Sequence, residues 1–521
     1  MNTKLYFGGN IITMDDKNPY VQAVLTQNDK IIAVGDYNEL IKNADEKINL
    51  NGKTMLPAFI DAHSHFSSYA ISLLQPSVAN CKSFDDILNV INDYIKQNNI
   101  KKDKWITVKD FDPDNIKEKC YPNSDVLDKF ENPILLEHKS GHTGVFNSSA
   151  LKNLDIDINT PVPEGGKIEQ KNGKLTGYIE ENALIKYMQK MPMPKMEEIE
   201  GAYLKSGERY ASYGITTAQE GMIMDAMDAM LKLLCDKNLL KIDLIGYLDL
   251  RNCDNTLKVF GEHIDKYKNH FKIGGYKVFL DGSPQAKTAW LTEPYENSDY
   301  CGYPTLTDDE LSKYIKRAID DNKQILAHCN GDAAAEQYLT VYEKLNTQKN
   351  IRPVMVHAQM LRQDQMPRLK KIGMIPSFFI AHVYQWGDTH IKNLGFKRAS
   401  QISPANTAVE NEILFTFHQD SPVIEPNMLE TVWCAVNRKT KDGVTLGENQ
   451  KISVINALKA ITINAAYQYF EENIKGSIEV GKQADFVILN DNPLKVEDDK
   501  IKDILVLETI KNGQIIYKKD M

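Results

Sequence analysis

No run of roughly 18 apolar residues occurs anywhere in the chain, so no membrane-spanning helix is expected. The N-terminal segment Met1–Asn10 lacks the long apolar core of a secretory signal. Cysteine is sparse: seven residues, an odd number, with no Cys-x-x-Cys pair. That argues against a disulfide framework and suits a reducing cytoplasm. Basic clusters with interleaved aromatics are missing and the net charge is -9, which excludes an electrostatic nucleic-acid surface. Internal repeats and low-complexity segments are also lacking. What remains is ordinary globular composition, 42% hydrophobic and 26% charged over 521 residues. That length suffices for one large domain and a satellite.

Against this background the histidines are informative. His63-Ser64-His65 follows the apolar run Leu56-Pro57-Ala58-Phe59-Ile60, joined by Asp61-Ala62. On a strand, side chains two apart point to one side, so both imidazoles can reach one divalent ion, and neutral imidazole suits zinc and similar metals. Further short apolar runs end the same way. Gln324–Ala327 leads into His328, Pro353–Val356 into His357, and Ile413–Phe417 through His418-Gln419 into Asp420. A fourth run, Tyr276–Gly282, embeds Lys277 among apolar residues, and a buried lysine without a partner is costly. A lone buried histidine is usually a hydrogen-bonded core residue. Five such positions at successive strand ends point instead to a metal site.

Together with Gly141-His142, Asn147–Leu151, Gly177–Glu181, Lys277–Ser283, His328–Asp332, His357-Ala358-Gln359, His418–Pro422 and Lys475–Phe486, these motifs resemble the amidohydrolase superfamily. The resemblance is to its YtcJ-like (amidohydrolase 3) branch, the group that includes N-substituted formamide deformylase, and it runs nearly end to end. It implies an α/β fold: a (β/α)8 TIM-like barrel at residues 57–474, with a small β-sandwich made of both termini, 1–56 plus 475–521. The β-rich runs with turn punctuation at both ends of the sequence agree. The eight barrel strands are expected near 57–63, 215–220, 242–250, 275–281, 323–328, 353–357, 373–378 and 412–419. The long gap after the first exceeds an ordinary βα connection, so residues ~72–205 read as an insertion over the barrel mouth. Barrel enzymes carry their chemistry at the C-terminal strand ends.

The implied chemistry is metal-dependent hydrolysis of a non-peptide carbon–nitrogen bond in a small-molecule amide, N-acyl or N-formyl compound. One or two divalent ions, zinc foremost, would activate water. The ligand set is His63, His65 and Asp420 for one ion, and His328 and His357 for the second. Lys277 is the candidate bridge as a carbamate; the alternatives are an amine paired with Asp281 or Glu181, a bridging Glu181, or a single ion. Asp420 is the proton shuttle, with His357 or His142 aiding the oxyanion. Substrate contacts are expected from His142, Glu181, Asp281, Gln285, Trp290, Asn330 and His382, although His142 could equally stabilise its loop. The aromatics Phe378, Phe379, Tyr384 and Trp386 suit a ring-bearing substrate or simple core packing. Cys329 reads as packing. Two other readings are a heterocycle deaminase of the same superfamily and a non-catalytic regulatory metal-binding protein. Such deaminases usually carry a glutamate three residues after the strand-five histidine, where this chain has Gly331; the complete ligand set speaks against a degenerate scaffold. No motif specifies a homodimer, though barrel helices could support one.

Overall fold

The computed structural model describes residues 3–139, 143–163, 166–192, 195–345 and 347–520. It divides into two compact units: one runs from the N-terminus to Tyr69 and again from Tyr203 to the C-terminus, and the other is Ala70–Ala202.

The first unit holds eight parallel strands side by side in chain order. They are β1 (Phe59–Ile60), β2 (Ile215–Ile223), β3 (Asp243–Asp249), β4 (Phe271–Phe279), β5 (Gln324–Cys329), β6 (Val354–His357), β7 (Ile375–Phe378) and β8 (Thr416–Phe417). Each overlaps a span read from the sequence. Every residue of β3, β6 and β7 is buried, as expected of parallel strands covered on both faces. One cluster takes Ile60, Ile245, Tyr247, Leu326, Val354, Val356 and Ile375 from five strands, and so marks a shared face. The helix Asp308–Asp320, between β4 and β5, starts with a reciprocal cap between Thr307 and Glu310 and buries Leu311, Ile315 and Ala318; these lie on one helical stripe. No strand ladder joins β8 to β1 among the described residues. Just past their ends, Asp420 N donates to His63 O (3.1 Å) and His65 N to Ser421 O (2.8 Å).

Both chain ends build a second sheet in the same unit. Thr3–Ile12, Tyr20–Gln27, Lys30–Gly35, Glu46–Asn49 and Thr54–Pro57 join Phe486–Leu489, Val506–Lys511 and Gln514–Lys518 in eight strands. The halves meet where Thr54–Pro57 pairs antiparallel with Phe486–Leu489. Alternation sends Tyr6, Val24, Phe486 and Ile488 into one core and Leu5, Ala23 and Leu25 into another. A buried ion network ties this sheet to the start of β3: Asp243 accepts from Lys475 (2.6 Å), Lys511 (2.7 Å) and His270 (2.8 Å). Lys475 also pairs with Glu471 at 3.1 Å, which in turn pairs with Lys272 at 2.5 Å.

The second unit contains a five-stranded sheet in the order Gly166–Lys171, Lys174–Glu181, Thr143–Phe146, Ile134–His138, Ile106–Phe111. Separate apolar clusters include Val108, Ile134 and Leu136 in one, and Leu135, Phe146 and Ile179 in the other. Leu135 and Leu136, adjacent on one strand, therefore point to opposite faces.

Candidate metal centre and active site

The strand ending at Ile60 is shorter than the sequence suggested, so His63 and His65 lie in the loop beyond β1. Strand alternation is therefore not what brings them together. The two backbone bonds to Asp420 and Ser421 fix the loop, and the Gln219 side chain on β2 orients His63. Its Oε1 lies 2.5 Å from His63 Nδ1, while its Nε2 donates to Ala62 O at 2.9 Å. The outcome is convergence: His63 Nε2 and His65 Nε2 each lie 3.5 Å from Asp420 Oδ1. One ligand atom from each residue falls within 4.8 Å of the others. A Cβ on Gly221 would sit 2.6 Å from the His63 ring, so that position on β2 must be bare for His63 to occupy its place.

Lys277, fully buried in β4, places Nζ 3.1 Å from His63 Nε2. From β6, His357 Nε2 approaches Asp420 Oδ2 to 4.0 Å. His328, at the end of β5, packs its ring 4.6 Å from that of His357. Burial holds His63 and His357 well below the usual imidazole range and pushes His65 down to about 3, so these rings are neutral and can ligate. Burial also drives the Lys277 ammonium down and the Asp420 carboxyl up, each opposed by the other's charge. Asp420 Oδ1 is buried with no hydrogen-bond partner, an arrangement that normally signals a group to be satisfied by something else. Two site residues carry left-handed backbone, His357 (φ 72°) and Asp420 (φ 54°), and non-glycine residues rarely adopt it outside turns and functional sites.

The remaining expected residues fall into different surroundings. Asp281 does not pair with Lys277. Its carboxylate accepts from Asn330 N (2.9 Å), Gly331 N (2.7 Å) and Trp290 N (3.1 Å), so it pins the loops after β4 and β5. Asn330 donates to Gly282 O at 2.8 Å and leaves its Oδ1 buried and unpartnered, as is Gln285 Oε1. The Trp290 side chain is half-buried. His382 is buried, packs on Phe379 and Trp386 with ring centroids 4.6 Å apart in each case, and bonds His390 at 3.1 Å. Tyr384 is half-buried and packs edge-on against Trp433, and Phe378 is wholly buried. Cys329 is buried and its thiol is raised well above the usual range by burial, in keeping with packing. Glu181 ends the strand Lys174–Glu181 of the second unit with an exposed side chain. His142 lies outside the described residues.

Two participants were not recognised in the sequence as site residues. Gln219 is a buried polar residue of β2, but that strand also holds Thr216, Thr217 and Glu220, so no lone polar residue in an apolar run marks it as one marks Lys277. His418 stands two residues before Asp420, repeating the spacing of His63 and His65, and it contacts His357.

A sequence model of the amidohydrolase family matches residues 46–517. The chain belongs to the amidohydrolase family. As a member it is a hydrolase acting on carbon–nitrogen bonds. This amidohydrolase is 26% identical over 536 residues to YtcJ of Bacillus subtilis, itself named as an amidohydrolase, with 99% of each chain covered. It is 25% identical to the N-substituted formamide deformylase of Arthrobacter pascens, covering 100% of this chain and 99% of that one. Its fold is shared with a structure described as an uncharacterized metal-dependent hydrolase from Pyrococcus furiosus, at a TM-score of 0.77 and 23% identity, covering 95% of this chain and all of that one.

Proposed function

We propose that this amidohydrolase is metal-dependent and cleaves a non-peptide amide, N-acyl or N-formyl bond of a small molecule, at the C-terminal ends of strands that close into a (β/α)8 barrel. The observation that carries the proposal is the convergence of His63, His65 and Asp420 around a buried carboxylate oxygen that has no protein donor. The donor set, neutral imidazole plus carboxylate, suits zinc and related divalent ions. His63, His65 and Asp420 would hold one ion and His328 and His357 a second, with Lys277 as the candidate bridge. Closure of the barrel is supported by the paired backbone bonds between the loops after β1 and β8, and the terminal strands would form the sandwich that accompanies it.

A divalent cation at such a site acidifies a water toward a pKa of about 7 and polarises a carbonyl oxygen. The protein's own part centres on Asp420. Its carboxylate accepts a proton from the attacking water and returns it to the departing nitrogen, so that an amine leaves in place of an unstable anion. His357, with its Nε2 lone pair committed to the second ion, has no N–H to offer the oxyanion and would act on it only through that ion. Asn330 Oδ1 and Gln285 Oε1, buried without a partner, would accept from a substrate N–H, and Phe379, Trp386 and His382, packed together beside His418, would receive a ring-bearing substituent. The deformylase among the relatives favours an N-formyl or N-acyl amine. Amine release from N-formyl and N-acyl amines by zinc-, manganese- or iron-loaded protein tests this. Turnover that survives complete chelation would refute it.

Lys277 has an imidazole rather than a carboxylate at hydrogen-bond distance, a costly arrangement for a buried ammonium. Carboxylation would resolve it: the amine nitrogen would bond the carbon of carbon dioxide, one proton would leave, and Lys277 would then supply an anionic oxygen pair as ligand. The Lys277→Ala variant is expected to hold one ion where the wild type holds two, and to lose any gain in metal uptake on adding bicarbonate. Equal metal content in the two proteins, by elemental analysis, would remove the carbamate from the account.

Deamination is disfavoured by packing. A Cβ at Gly331 would lie 1.8 Å from Trp290 O, and backbone cannot give way cheaply, so no side chain can act from that position. Gly331→Ala is expected to displace the loops pinned by Asp281 and to lower kcat by about tenfold or more, in line with the sensitivity of catalysis to small misplacements. Wild-type kcat in this variant would show that the loop tolerates a side chain.

A further inference from the structure

The proposed centre leaves unexplained a fully buried histidine beside it. His418 follows β8 directly, and its ring lies 5.1 Å from His357, 5.3 Å from His63 and 5.3 Å from Phe379. Both of its nitrogens are engaged: Nε2 is 3.1 Å from His357 Nδ1, and Nδ1 is 2.9 Å from Ser377 Oγ on β7. We propose that His418 is a positioning residue that, backed by Ser377, fixes the tautomer and ring orientation of His357 so that only its Nε2 lone pair faces the centre.

The argument is one of hydrogen counting. A neutral imidazole carries a single N–H. For His357 Nε2 to offer a lone pair, the hydrogen must sit on Nδ1 and be donated to His418 Nε2. The hydrogen of His418 is then on Nδ1 and is donated to Ser377 Oγ. Each bond determines the next, across three neighbouring strands. His63 obtains the same service from Gln219, whose amide oxygen can only accept. His357 depends on an imidazole, which accepts at Nε2 only while Ser377 accepts at the far side. Ligating histidines generally need such a partner for the second nitrogen, and its loss costs about 10- to 100-fold in metal affinity.

The inference rests on reading the centre as a cation site, and the test separates the two. Full-length protein is titrated with zinc or cobalt(II) against a chromophoric chelator, for wild type, His63→Ala, His418→Phe, His418→Gln and Ser377→Ala. Phenylalanine keeps the ring volume and removes the acceptor, whereas glutamine restores an acceptor near the place of Nε2. His418→Phe is expected to weaken cation affinity by about 10- to 100-fold, His418→Gln to recover most of it, and Ser377→Ala to lose less. Wild-type affinity in His418→Phe, or equal impairment in the Gln and Phe variants, overturns the positioning role. If His418→Phe does not fold, Ser377→Ala decides, and wild-type affinity there overturns the role. If His63→Ala also binds as wild type does, the cation site itself has been misassigned. Loss in His63→Ala alone sinks only the role of His418.

Discussion

Asp420→Asn is expected to lower kcat by about 10²- to 10⁴-fold, the range for removing a positioned proton-transfer group, while most of the bound metal is retained. Asparagine has nearly the same shape and can leave an oxygen facing His63 and His65, each 3.5 Å from Asp420 Oδ1 in the wild type. What it cannot do is take a proton from water and return it to nitrogen. The loss should therefore appear in kcat more than in KM, and should persist after normalising turnover to metal content. A variant that retains about a tenth of wild-type kcat per bound ion would show that another group moves the proton. If metal content and kcat fall in proportion, Asp420 acts as a ligand and nothing more.

The second large effect concerns stability. Asp243→Asn is expected to destabilise the first unit by about 3–5 kcal/mol, the cost of breaking a buried charge pair from one side. Its carboxylate receives two buried ammonium groups and the half-buried His270. Removing the charge takes away the partner the lysines share, leaving Lys475 with Glu471 (3.1 Å) and Lys511 with Asp485 (3.3 Å). The two lysines together with His270 hold the Asp243 carboxyl well below its usual range, against the opposing effect of burial. Because its folded pKa is depressed, the unfolded chain binds the proton more readily and stability rises with pH across this titration. The contribution is fully present above about pH 4, the unfolded value, and is lost as pH falls toward the folded one. The asparagine variant should thus show a lower urea midpoint at neutral pH and a weaker loss of stability on acidification. An unchanged midpoint would mean that the lysines find other partners. Adding Lys511→Met to Asp243→Asn should recover part of the loss, since it removes one of two buried ammonium groups that have lost their shared carboxylate.

Much of this arrangement was legible in the chain because apolar runs ending in His328, His357 and Asp420 mark strand ends, and parallel strands bury both faces. The pairing of the two chain ends was legible for a similar reason: β-rich runs at each terminus lack partners of their own. Local geometry was less accessible. His63 and His65 satisfy the two-residue spacing yet stand beyond the strand, where backbone bonds to Asp420 and Ser421 replace alternation as the cause of convergence. Val354 and Val356 face the shared core, so strict alternation would turn His357 away; a left-handed φ of 72° intervenes, and no residue pattern announces it. Asp281 was read as a pocket residue because it follows a strand. Its oxygens accept from three backbone amides and lie 3.4 Å from His328 Nδ1, and the backbone partners carry no signature in side-chain identity.

The seam between Thr54–Pro57 and Phe486–Leu489 has a consequence for biogenesis. Met55 and Leu56, wholly buried in the finished molecule, emerge from the ribosome long before the strand that covers them exists. At about 5–20 residues per second, that wait is on the order of tens of seconds. During it the nascent chain displays an unzipped, greasy edge, which makes these early residues natural clients for a holding chaperone until the last strands arrive.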